Sequence, residues 1–205
     1  MTESSQKRVR RVGHKGAAHI ERGNTLASFD AALRHNVDMI ELDVDIKLPG
    51  YELRVVETLR DFDVIPRTLV SGMFQEGLAL IRAAEPTLRL GWSVPRVRRD
   101  YTTDMLTAIP ALAILTGYRA ALPRRAYAAL KEGRYDAIMA HWRVVTRALV
   151  RAVAAGRGEL YVWTVDEVRM IDKLTRMGVN GIITNDPRLF DGSPEPLSRS
   201  GTSRR

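Results

Sequence analysis

Short runs rich in Val, Ile and Leu alternate with stretches of helical periodicity from Val9 to Thr184. That alternation narrows the fold to the α/β class, in which strands and helices take turns along the chain. Strands are expected near Val9 to Gly13, Met39 to Ile46, Arg67 to Val70, Leu88 to Trp92, Asp136 to Ala140, Leu160 to Val165 and Gly181 to Thr184. Helices fill the intervals. They are expected at Thr25 to His35 behind Asn24 as cap, Tyr51 to Asp61, Phe74 to Ala84, around Thr103 to Ile109, Arg124 to Glu132, Val144 to Ala155, and Asp166 to Met177 with Gly178 as its stop. Seven such strands suit either a doubly wound sheet or a (β/α) barrel. The first strand is followed by G-H-K-G rather than the G-x-G-x-x-G turn of a dinucleotide-binding sheet, which favours the barrel. Polar residues gather at the C-terminal ends of the expected strands: His14 and Lys15, Lys47, Ser71, Ser93, His141, Thr164, and Thr184 with Asn185. Barrel active sites are built at that rim.

One strand carries an unusual face. In I-E-L-D-V-D-I-K, from Ile40 to Lys47, period-two alternation puts Glu41, Asp43, Asp45 and Lys47 on one side and Ile40, Leu42, Val44 and Ile46 on the other. Three carboxylates in a row repel unless a cation or a substrate group compensates them. A solvated edge with Lys47 as partial counterion and a metal site both fit this pattern when it is taken alone.

At 205 residues the chain fits one domain, and its 45% apolar and 27% charged content is that of a soluble globular protein. No run approaches the roughly 18 apolar residues that span a bilayer, and the first eleven residues have no apolar signal segment, so a cytoplasmic location is expected. The absence of cysteine excludes disulfides and thiolate chemistry. Half of the net charge of +8 lies in the tails, residues 1–11 and 191–205, and the second of these is expected to be disordered. The body, residues 12–190, keeps 25 basic against 21 acidic residues. That excess suits an anionic small-molecule substrate and is too dispersed for a nucleic-acid groove.

Four segments resemble the glycerophosphodiester phosphodiesterase family. G-H-K-G followed by G-N-T-L-A-S-F-D-A-A is similar to its opening pattern, M-I-E-L-D-V to its E-x-D strand, R-T-L-V-S-G to a middle strand, and V-W-T-V-D with G-V-N-G-I-I-T-N-D-P to its closing signature. Together they span Val12 to Phe190. The resemblance implies a closed TIM-type barrel and metal-dependent hydrolysis of a glycerophosphodiester to glycerol 3-phosphate and an alcohol, a reaction of lipid metabolism. It implies that His14 is a catalytic acid or base and that Lys15 and Lys47 face the substrate phosphate. It also implies that Glu41, Asp43 and Asp45 hold a divalent cation, Mg²⁺ or Ca²⁺, whose preference for hard oxygen donors matches carboxylates. Trp163 could wall the glycerol moiety, and a core tryptophan is an equal reading.

The chain departs from the family pattern in instructive places. Gly23 replaces a glutamate, Lys15 an arginine and Asn185 an aspartate. After Asp43 the segment that carries the family's second catalytic histidine is missing, so that E-L-D runs directly into D-V-D-I-K. Two strands are thereby joined into one, and the barrel is reduced by about one βα unit. Along a strand Glu41 and Asp43 are roughly 7 Å apart but Glu41 and Asp45 about 13 Å, too far for one ion to take all three. His19 and His141 read as loop or packing histidines. Two functions therefore remain: a phosphodiesterase, or a catalytically impaired relative that binds phosphate or metal.

Overall fold

The computed structural model describes residues 8–42, 50–95 and 105–191. Seven strands alternate with six helices in the order β1 Arg10–His14, α1 Leu26–Arg34, β2 Met39–Glu41, α2 Glu52–Asp61, β3 Leu69–Gly72, α3 Gln75–Ala84, β4 Arg89–Val94, α4 Met105–Lys131, β5 Ala137–His141, α5 Arg147–Ala155, β6 Glu159–Trp163, α6 Val168–Met177 and β7 Gly181–Thr184. Every pairing is parallel, and the sheet runs β2-β1-β7-β6-β5-β4-β3. The last strand thus lies beside the first, the topology of a sheet curling toward a barrel.

The seven-strand barrel-type expectation is met, with one correction. The row ends at β2 and β3, and among the described residues no pairing joins these two, so the ring is open there. The opening falls between consecutive strands, and residues 43–49, which lie between them in the chain, are outside the described residues. β2 itself ends at Glu41, and Leu42, expected on the apolar row of a strand reaching Ile46, is 55% exposed.

Period-two alternation sorts the strands into two faces. Leu90, Trp92 and Val94 of β4, Ile138 and Ala140 of β5, Leu160 and Val162 of β6 and Ile182 of β7 pack outward against the helices. Burying such side chains fully stabilises the fold by roughly 1.5–3 kcal/mol each. The other parity turns inward, where Val12, Ala137, Met139, Tyr161 and Ile183 form a smaller core with Met39, Leu69 and Trp163. Below it, at the N-terminal ends of the strands, Glu159 accepts hydrogen bonds from Arg10 (2.7 Å), Arg89 and Tyr161 (2.9 Å). Burial pushes the Glu159 carboxyl up, but the bonds from Arg10, Arg89 and Tyr161 outweigh it and hold the group at about 2.

Two helix expectations change. The segments read as separate around Thr103 to Ile109 and Arg124 to Glu132 are one helix, α4, with Pro110 and Pro123 inside it. Its stripe of Leu122, Ala126, Ala129 and Leu130, buried at helical spacing, outweighs the local breaker signal of Pro123. The cap of α1 is Thr25, whose hydroxyl accepts from the Ser28 N–H, and Asn24 takes a left-handed φ of 60° instead. Gly178 ends α6 in the left-handed region, as expected. None of the described helices is long and apolar enough to cross a membrane.

Candidate active site

The site begins with the turn after β1. Lys15 and Gly16 both have positive φ, 52° and 89°, which reverses the chain within two residues. Gly16 lies so close to α1 that an added Cβ would stand 2.5 Å from the Ser28 hydroxyl, and one at Gly13 would stand 2.2 Å from the Gly16 carbonyl. Only glycine fits either place. The fully buried Ser28 hydroxyl ties the turn down: it donates to the Lys15 carbonyl (2.8 Å) and accepts from the Ala17 N–H (2.8 Å). G-H-K-G and the downstream N-T-L-A-S are therefore one mechanical unit, which fixes the direction of His14. The stem of Lys15 lies over Gly23, where a Cβ would meet Lys15 Cβ at 3.0 Å, so glycine makes room for this turn.

His14 and Glu41 are register partners on β1 and β2 and share the inward parity of Val12 and Met39. Their side chains meet at the C-terminal rim, with His14 Nε2 3.4 Å from Glu41 Oε2 and both groups about three-quarters covered, 22% and 30% exposed. The other ring nitrogen, Nδ1, lies 2.6 Å from Asn185 Oδ1 just after β7. Asn185 is itself held by Asp166, which follows β6: Asp166 accepts from the Asn185 N–H (2.8 Å), the Asn185 Nδ2 (2.6 Å) and the Thr184 hydroxyl (2.9 Å). The imidazole is thus gripped from β7 and β6 on one side and faces a carboxylate on the other. An imidazole nitrogen opposite a carboxylate at 3.4 Å is favourable with a proton or cation between them, and this is the arrangement of an acid/base group beside an anion or metal site.

Other rim residues complete the mouth. His141 and Trp163 are register partners on β5 and β6, their rings edge to face at 5.1 Å, and Trp163 Nε1 donates to the Met139 carbonyl at 3.0 Å. Trp163 is half-buried at the rim, packed against the inner core. His141 accepts from the Arg143 N–H through Nδ1 and stacks on Trp142, which is a packing and capping role. His19 is exposed on the β1–α1 loop, and its backbone N–H donates to the Asn185 carbonyl. Hydrogen bonds from Arg188 hold the Asp186 carboxyl below its usual range against the opposing effect of burial.

Asp43, Asp45 and Lys47 lie outside the described residues. Among those that are described, no three His, Asp or Glu side chains gather as a metal-holding group. Glu41 nevertheless offers a hard oxygen donor at the mouth, which is the right chemistry for Mg²⁺ or Ca²⁺. Sequence reasoning took Asp166 as the start of a helix and as part of the V-W-T-V-D closing signature, and did not assign it to the site.

A parallel sheet curled toward a barrel, with a histidine and a carboxylate at its C-terminal rim, defines the class of barrel proteins that carry their site at the strand ends. Comparison with known proteins names the family. Residues 88–189 match the model of the glycerophosphoryl diester phosphodiesterase family, and this is the family the chain resembles. It is 26% identical over 188 residues to the glycerophosphodiester phosphodiesterase GDPD4 of Arabidopsis thaliana, covering 89% of this chain and 50% of that protein. The chain therefore spans about half the length of that curated relative. Among solved structures it is similar to a protein of Silicibacter pomeroyi described as a glycerophosphoryl diester phosphodiesterase, with 17% identity, TM-score 0.68, and 90% and 94% of the two chains covered. A glycerophosphodiester phosphodiesterase of Agrobacterium tumefaciens matches at 14% identity and TM-score 0.61, with 89% and 99% covered. At such identities the likeness is one of fold.

Proposed function

We propose that the chain is a phosphoric diester hydrolase that cleaves a glycerophosphodiester into glycerol 3-phosphate and an alcohol. The observation that carries this reading is the His14–Glu41 pair, 3.4 Å apart at the strand ends of a barrel that resembles this family. Phosphodiester hydrolysis needs the phosphate's charge offset and a proton moved at the attacking or leaving oxygen. His14 moves the proton at Nε2, the nitrogen turned to the mouth, while Nδ1 is engaged by Asn185. Lys15 and Lys47 supply positive charge to the phosphate oxygens as point charges. Glu41, together with Asp43, which lies outside the described residues, would hold a divalent cation, which would neutralise phosphate oxygens when bound. Trp163, level with His141 at the rim, shields the glycerol end from water.

The test is release of glycerol 3-phosphate from a glycerophosphodiester, assayed with Mg²⁺ or Ca²⁺ and after chelation. Turnover is expected to depend on the metal, and His14→Ala should lower it by about 10²-fold or more. The missing second histidine keeps a binding module as the alternative. Thermal stabilisation by phosphate without any metal-stimulated turnover would select it.

A further inference from the structure

We propose that Asp166 is a positioning residue that sets the tautomer of His14, acting through Asn185. The argument is one of donors and acceptors. A carboxylate can only accept hydrogen bonds, so Asp166 fixes which end of the Asn185 amide faces it: the Nδ2 group, at 2.6 Å. The Asn185 backbone N–H and the Thr184 hydroxyl, at 2.8 and 2.9 Å, occupy the other carboxylate oxygen and keep it from turning. Asn185 Oδ1 is then committed to His14. An amide oxygen also only accepts, so His14 Nδ1, at 2.6 Å, must carry the proton. Neutral His14 therefore presents the lone pair of Nε2 to the mouth, the form able to take a proton there. Glu41 competes for the ring proton from the opposite side, but its oxygen is 3.4 Å away, beyond the usual 2.7–3.2 Å of an N–H···O bond. The inference deepens the proposed hydrolase reading, since the tautomer matters because Nε2 is assigned the reaction.

The test is made on the full chain labelled with ¹⁵N-histidine and recorded without substrate. The pH is about two units above the ordinary imidazole value of ~6.5, and His14→Gln identifies the signals. Two-bond proton–nitrogen correlations tell which ring nitrogen is protonated. The wild type is expected in the Nδ1–H form. Asp166→Asn, whose amide can present either end, should give a mixture of tautomers with a fold that melts cooperatively. The exchange Asp166→Asn with Asn185→Asp should restore the Nδ1–H form, because a carboxylate at 185 again only accepts from the ring. A wild type that is mainly Nε2–H, or an Asp166→Asn spectrum identical to wild type, overturns the proposal. If Asp166→Asn fails to fold, the wild-type spectrum and that of Asn185→Ala, expected to be mixed, decide the matter in its place. An inactive wild type with the Nδ1–H form would count against the hydrolase reading alone.

Discussion

Glu159→Gln removes the charge on which the floor of the barrel is built. Three donors, Arg10, Arg89 and Tyr161, converge on one carboxylate oxygen, and the Glu159 side chain is only 15% exposed. The glutamine keeps the volume but brings an NH₂ among donors and leaves two guanidinium groups without a counter-ion. Held at about 2 against an ordinary 4.5, the carboxylate contributes stability of about 3 kcal/mol at neutral pH, at 1.36 kcal/mol per unit. Because the folded value is the lower one, this contribution is present above about 4.5 and lost as the pH falls toward about 2, with roughly half gone by pH ~3. Both arginines are partly open to solvent, 29% and 39% exposed, which makes the figure an upper one. For a chain of this length the variant should melt roughly 5–10 °C lower at pH 7. The deficit should shrink by about half at pH ~3. Calorimetry or circular dichroism melting of both proteins at the two pH values measures it. A variant within ~1 °C of wild type at pH 7, or a deficit that does not narrow in acid, refutes the reasoning.

Two further outcomes test the rim. Gly16→Ala forces a Cβ to within 2.6 Å of Ser28 backbone atoms at a φ of 89°, so soluble yield or urea midpoint should fall by the equivalent of 3 kcal/mol or more. Trp163→Phe removes the donor to the Met139 carbonyl and should cost about 1 kcal/mol in denaturant unfolding, while KM for a glycerophosphodiester rises more than kcat falls.

The alternation of runs made the strands legible, because period-two and period-3.6 patterns are local and each side chain's face follows from its neighbours in the chain. His14 and Glu41 were named through the resemblance, and the structure makes them register partners at strand ends on the inward parity. The continuity of α4 was not legible, since Pro123 is a local breaker and only the burial of Leu122, Ala126, Ala129 and Leu130 overrides it. Leu42 was misplaced because alternation cannot say where a strand stops pairing.

What the order of residues determined by itself is the α/β class, the seven strands and the G-H-K-G that follows the first of them. Tertiary structure decided that, among the described residues, β2 and β3 end the row, and that Asp166, Asn185 and His14 form a chain of hydrogen bonds. Those contacts join β1 to residues more than 150 positions away. No local pattern encodes such a partnership, because it arises only when parallel strands bring their C-terminal ends to one rim.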